Sequence, residues 1–403
     1  MKGILFTVVV IFCAGYLLAQ PLKKPDLPKG KQERSTDDKF KVLHGPYLQH
    51  LDETSVSLVW VTNKDAIAWV ELAPDDSSNF YKLERPRYFS SSNGLKNVAR
   101  IHVVHIENLQ PGKKYRYRIF SKEVLSHEGI EVRYGEVIAT RVFQRKAPAF
   151  TTNDYEKPAI SFLMLNDIHE RNEVMKTLLK GTDWGATDFV LFDGDMVNSS
   201  RSEEQMFGSF MDTADSLFAG EIPMYYSRGN HETRGPFASD FYKYFPGVNG
   251  KLYYIFRQGP VCFIILDSGE DKPDSDIEYG GITDFDTYRE EEAQWLKEAL
   301  NSKIFRDAPF KIAVAHIPPF EGWHGEEQIK EKFAPLLNKA GIDIMLCAHL
   351  HRYVRSDKTN ERNFPVIVNS NNSILKVKVN KNQLKLDVVD LKGSVMDSLT
   401  INK

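Results

Sequence analysis

Five short apolar runs in this chain each end in residues that bind metal ions well. Ile160 to Leu165 leads into Asn166-Asp167-Ile168-His169, and Phe189 to Phe192 leads into Asp193-Gly194-Asp195. Ile222 to Tyr226 is followed by Arg228-Gly229-Asn230-His231-Glu232, Phe310 to Ala315 by His316, and Ile342 to Cys347 by Ala348-His349-Leu350-His351. Imidazole, carboxylate and amide donors without a paired thiolate motif suit borderline ions such as Zn, Fe, Mn or Co. Asp167, His169, Asp195, Asn230, His316, His349 and His351 are more donors than one tetrahedral ion takes. Shared through one bridging carboxylate, they fill two ions about 3.5 to 4 Å apart, the spacing of hydrolytic two-metal chemistry.

Such convergence needs strands that end on one rim. The apolar runs are β-prone and alternate with helical patterns, and an α/β sheet places ligands at the carboxyl ends of its strands. Helices are expected over Arg171 to Lys180, Ser202 to Phe218, Asp284 to Leu300 and Glu326 to Lys339. In the second of these Phe207, Phe210, Met211, Ala214 and Leu217 form a stripe to be buried. Beyond Phe364, β-like runs at Val366 to Val368, Leu375 to Val379 and Leu384 to Val389 complete the sheet or build a second one stacked on it.

The amino-terminal part follows a different grammar. Met1-Lys2-Gly3 and the apolar run to Ala19 have the charged start, apolar middle and small residue of a secretory leader (1–19), too short for a membrane span. Residues 20–40, rich in Lys, Pro and Asp, are expected to be a flexible linker. Short alternating runs over 41–147 (Ser55 to Thr62, Ile101 to Ile106, Lys114 to Ser121, Gly135 to Phe143) form an antiparallel sandwich pattern. A tether from Arg145 to Lys157 then leads to the second module, 158–403. The net charge of -3 gives no basic footprint for nucleic acid. Beyond the leader, Cys262 and Cys347 lie in apolar strand-like runs and are expected as buried free thiols.

In order, Asp167-Ile168-His169, Gly194-Asp195, Gly229-Asn230-His231-Glu232, His316 and Ala348-His349-Leu350-His351 resemble the motif series of calcineurin-like metallophosphoesterases, and most of all purple acid phosphatases. Leu109-Gln110-Pro111-Gly112-Lys113-Lys114-Tyr115 resembles the tyrosine corner of fibronectin type III modules. The resemblance implies two domains: an all-β fibronectin type III-like sandwich, then a four-layer α/β metallophosphoesterase with two stacked sheets flanked by helices. It implies that Asp167, His169 and His351 hold one ion, that Asn230, His316 and His349 hold the other, and that Asp195 bridges them. The ions would be two divalent or trivalent metals drawn from Fe, Zn and Mn. His231 resembles the residue that protonates the leaving alkoxide, with Glu232 to orient it, and His324 a second substrate-side imidazole. Arg171 and Arg228 are candidates for phosphate contact.

Two departures stand out. Asn198 occupies the position where purple enzymes carry the tyrosine whose phenolate binds ferric iron, so a colourless protein is expected. Ala348 replaces the usual glycine before His349, at little cost if the backbone there avoids positive φ.

The expected function is that of a secreted or periplasmic phosphoesterase, hydrolysing a phosphorylated small-molecule or surface substrate, most simply a monoester, with a hydroxide activated between two ions. A phosphodiesterase or nucleotide hydrolase uses the same centre. A non-catalytic surface-binding protein is the alternative from another class.

Overall fold

The computed structural model describes residues 39–143 and 145–403. The leader expected over 1–19 and almost all of the linker expected over 20–40 lie outside the described residues. Phe40, counted in that linker, is buried.

The β-rich module is built on the long strand Val56–Pro74, which pairs antiparallel with Val42–Gln49, Ala99–Ile106 and Lys114–Glu128. Its inward side chains alternate as the pattern required: Val56, Leu58, Trp60, Ala68, Val70 and Leu72 share one apolar core with Val104, Ile106, Tyr117 and Ile119. At the corner, Gln110 N–H donates to the Tyr115 hydroxyl at 3.0 Å. The stretch read as a tether belongs to the module instead. Ala149–Thr151 pairs with Lys114 to Arg116, and the buried Asn153 side chain donates to the carbonyls of Leu51 and Arg257, both at 3.0 Å. A buried amide needs such partners, so this connection is fixed rather than loose.

The second module stacks two six-stranded sheets. One runs in the order Met224–Ser227, Phe189–Asp193, Ala159–Leu165, Ser373–Asn380, Gln383–Asp390, Val395–Asn402, its first three strands parallel. In the other, Val261–Ile265, Phe310–Val314, Ile344–Cys347 and Val366–Val368 are parallel, with antiparallel strands at both edges. Residues two apart share a face: Ile160, Phe162 and Met164 point between the sheets to meet Phe263, Ile312 and Leu346, while Leu163 and Leu165 point the other way. Helices Asn172–Leu179 and 203–217 cover the outer face of the first sheet, and Phe285–Ala299 and 324–340 that of the second, giving four layers.

The sandwich packs on the second module through Tyr47, which lies against Phe207 of helix 203–217 and whose hydroxyl donates to the Tyr244 carbonyl at 2.9 Å, and through the hydroxyl of Tyr117, which donates to the Gly220 carbonyl at 2.6 Å. The last strand, Val395–Asn402, was not expected from sequence; its residues are mostly exposed and too polar to announce a strand. Cys262 and Cys347 are buried free thiols, as expected. Among the described residues no helix is long and apolar enough to cross a membrane.

Candidate metal centre

All the donors lie just beyond the carboxyl ends of parallel strands. Ala159–Leu165 delivers Asp167 and His169, Phe189–Asp193 delivers Asp195, Met224–Ser227 delivers Asn230, Phe310–Val314 delivers His316, and Ile344–Cys347 delivers His349 and His351. Each chain must turn sharply there to aim a side chain back over the rim. Asp167, His169, Asp195, His349 and His351 all adopt left-handed backbone conformations, with φ of 49°, 47°, 53°, 73° and 54°. Non-glycine residues avoid this region, and such strain gathers where a site over-determines the backbone. Two glycines let the loops meet. A Cβ on Gly194 would lie 2.4 Å from the nitrogen of Gly229, and one on Gly229 would lie 2.3 Å from Oδ1 of Asp195. Ala348 avoids positive φ, so its methyl group is tolerated.

The donors form two groups that share one residue. Asp167, His169, Asp195 and His351 make the first, and Asp195, His316 and His349 the second. Nε2 of His169 stands 3.0 Å from Nε2 of His351, which is 3.3 Å from Oδ1 of Asp167. In the second group Nε2 of His316 is 3.2 Å from Oδ2 of Asp195, and Nδ1 of His349 is 3.1 Å from Oδ1 of Asn230. The amide thereby joins the second group, and Asp195 sits where a bridge between two ions belongs.

Charge and burial show that the cluster fits cations. Asp167 and Asp195 are buried, and Oδ1 of Asp167 and Nε2 of His316 have no hydrogen-bond partner despite complete burial. Burial works to raise the Asp167 pKa, but the nearby imidazoles of His169 and His351 and the charge of His316 outweigh it and hold the carboxylate well below its usual range. Burial likewise opposes protonation of His316, yet Asp195, Asp167 and Asp193 raise it far above the usual imidazole value. Burial and the neighbouring His316 charge bring His349 down to about 4. Asp167 also raises the proton affinity of His351, so protons on His316 and His351 offset part of the carboxylate charge, and cations would take their place.

The remaining candidates separate. His231 borders the cluster: its Nε2 is 3.8 Å from Oδ2 of Asp195, its backbone N–H donates to Oδ1 of Asp195 at 2.9 Å, and its Nδ1 contacts the Asn198 carbonyl at 2.6 Å. Glu232 does not orient it. The Glu232 carboxylate is buried and accepts from the backbone N–H groups of Asp195, Met196 and Gly229 and from the Tyr226 hydroxyl. Its carboxylate therefore holds the loop bearing Asp195.

His324 is bound elsewhere: its Nε2 pairs with Asp286 at 2.6 Å. Neither arginine is free for phosphate. Arg228 pairs with Asp267 at 2.8 Å, and Arg171 donates to the carbonyls of Asp167, Ile168 and Asn371. Both pairings satisfy the guanidinium that sequence left open.

Two residues that sequence reasoning passed over support the first group. Nδ2 of Asn166 donates to Oδ2 of Asp167 at 2.7 Å, and Oδ1 of Asn166 accepts from Asn369 at 2.6 Å. Asn166 begins a motif and so carried a signal. Asn369, 203 positions away, carried none.

This fold and this rim of donors define a metallophosphoesterase, a hydrolase of phosphoric esters. Residues 160–353 match the calcineurin-like phosphoesterase family and residues 46–154 the purple acid phosphatase N-terminal domain, so the chain carries a calcineurin-like phosphoesterase domain behind a purple acid phosphatase N-terminal domain. Probable purple acid phosphatase 20 of Arabidopsis thaliana is 25% identical over 352 residues, which cover 79% of this chain and 73% of the relative. Purple acid phosphatase 18 of the same plant is 30% identical over 323 residues, 75% of this chain and 64% of the relative. The purple acid phosphatase PPD1 of yellow lupin (Lupinus luteus) shares the fold, with a TM-score of 0.64 at 16% identity over 89% of this chain and 74% of the lupin one.

Proposed function

We propose that this chain is an exported phosphatase that hydrolyses phosphomonoesters at a centre of two metal ions. The observation that carries the reading is Asp195, which belongs to both donor groups while its Oδ1 accepts the backbone N–H of His231. Two bound ions would supply Lewis acidity toward a phosphoryl oxygen and make a water acidic enough to lose its proton near neutral pH. Asp167, His169 and His351 would hold one ion and Asn230, His316 and His349 the other, with Asp195 between. The neutral amide of Asn230 would leave an ion held there the more electron-poor.

The protein's own part is to position and to protonate. Contact with the Asn198 carbonyl at 2.6 Å makes Nδ1 of His231 the protonated nitrogen and fixes the ring. Nε2 is left facing the rim, half-open to solvent, where a protonated ring can donate to a departing alkoxide. Export rests on the leader-like start of the chain. Retention of all seven donors supports catalysis over a surface-binding role.

A panel of p-nitrophenyl mono- and diesters, assayed with added Mn, Zn or Fe, tests the reading. Faster turnover of the monoester supports it, and preference for the diester overturns the substrate class while leaving the centre intact. Amino-terminal sequencing of protein recovered outside the cell tests export, with a start just after Ala19 expected.

A further inference from the structure

A cavity of about 450 Å³ lies between the loop that leaves His316 and the segment that follows His351, lined by Pro319, Phe320, Ala334, Pro335 and Arg362, with Lys330 and its two carboxylate partners also on its wall. Its volume is in the range of small-molecule sites, roughly 300 to 1,000 Å³. Arg362 is only 7% exposed. Its Nη2 donates to Oγ of Ser356 at 2.7 Å and to the carbonyls of Ser356 and Asp357 at 3.4 and 3.0 Å, and its Nε is buried with no hydrogen-bond partner. The guanidinium carbon stands 5.8 Å from the Phe320 ring and 5.7 Å from that of Phe364.

Among the described residues no carboxylate pairs with Arg362, whereas Arg289, the other buried arginine of this module, has Asp286, and the largely buried Arg228 has Asp267. A buried charge held only by neutral dipoles is unfavourable, and burial accordingly lowers the affinity of Arg362 for its proton. The two carboxylates at the mouth do not cure this. Glu321 and Glu361 have side chains 85% and 78% exposed and reach out to Lys330 at 2.8 and 3.5 Å. Their charges are paired with Lys330 and screened by water.

We infer that this cavity is a binding site for a small organic carboxylate with an apolar body, its single charge answering Arg362 and its body packing on Phe320, Pro319, Ala334 and Pro335. Phosphate fits poorly, being doubly charged and without apolar surface. The site is separate from the metal centre and does not rest on the phosphatase reading.

Isothermal calorimetry on the full chain with benzoate, its neutral isostere benzamide and inorganic phosphate tests this. One benzoate is expected to bind at least about tenfold more tightly than benzamide. Ala334→Phe, which fills the cavity, is expected to abolish benzoate binding, and Arg362→Gln to erase the preference for benzoate over benzamide. Equal binding of benzamide, benzoate binding that survives both substitutions, a preference for phosphate that Ala334→Phe removes, or no benzoate heat up to about 10 mM would overturn the assignment. Should Ala334→Phe fail to fold, the Arg362→Gln comparison decides alone.

Discussion

Glu232 holds the backbone on which Asp195 stands: Oε2 accepts from Asp195 N–H at 2.8 Å and Oε1 from Met196 N–H at 2.7 Å. A carboxylate is suited to this because it is acceptor-only and can take several N–H groups at once. Glu232→Gln puts an amide N–H against those donors. The variant is expected to lose about 2 to 4 kcal/mol of stability and part of its metal. Chemical denaturation and elemental analysis check this, and a variant with full metal content and unchanged stability would contradict it.

His231→Asn is expected to behave differently. The backbone N–H to Asp195 remains, so metal content stays as in the parent, while turnover of a poor leaving group falls by about 10² to 10⁴. Turnover of p-nitrophenyl phosphate should fall less, because its leaving group needs little protonation. Equal losses on both substrates would show that the ring acts through structure.

Removing metal is expected to destabilise the chain, because Oδ1 of Asp167 and Nε2 of His316 are then buried without hydrogen-bond partners. Adding back ion at about a hundred times its dissociation constant should recover about 2.7 kcal/mol per site. Differential scanning calorimetry with and without chelator reads this directly. Asp195→Ala should flatten the response.

Iron-loaded protein is expected to lack an intense visible charge-transfer band. Asn198 supplies a carbonyl to His231 where a tyrosine would supply a phenolate to iron. An absorption spectrum of the iron form is the check, and a strong band in the visible would require another phenolate in the centre.

Asp215 gives a pH dependence away from the centre. Burial, with repulsion from Asp212 added, pushes its carboxyl up to about 7, although its Oδ2 accepts from the Gly45 N–H at 2.8 Å. The folded state therefore binds this proton more tightly than the unfolded chain does. The stability it contributes is complete below about pH 4 and is lost as pH rises through about 7. Asp215→Asn keeps an acceptor for Gly45 and removes the loss. The variant should match the parent near pH 4 and exceed it by roughly 2 to 4 kcal/mol at pH 8, as read by denaturant melts.

The sequence by itself determined the donor set and the strands that carry it. A run such as Phe310 to Ala315 is apolar because it is buried on both faces, and the first polar residue past it must lie at the sheet's rim. Residue type and strand end were therefore enough to name Asp167, His169, Asp195, Asn230, His316, His349 and His351. What they could not supply was the partner of each charged side chain. Glu232 turned to the Asp195 loop, His324 to Asp286 and Arg228 to Asp267, and the stretch read as a tether became a strand with Asn153 buried behind it. Those outcomes depend on contacts between segments far apart in the chain, made only once the layers have packed, and local pattern carries no record of them.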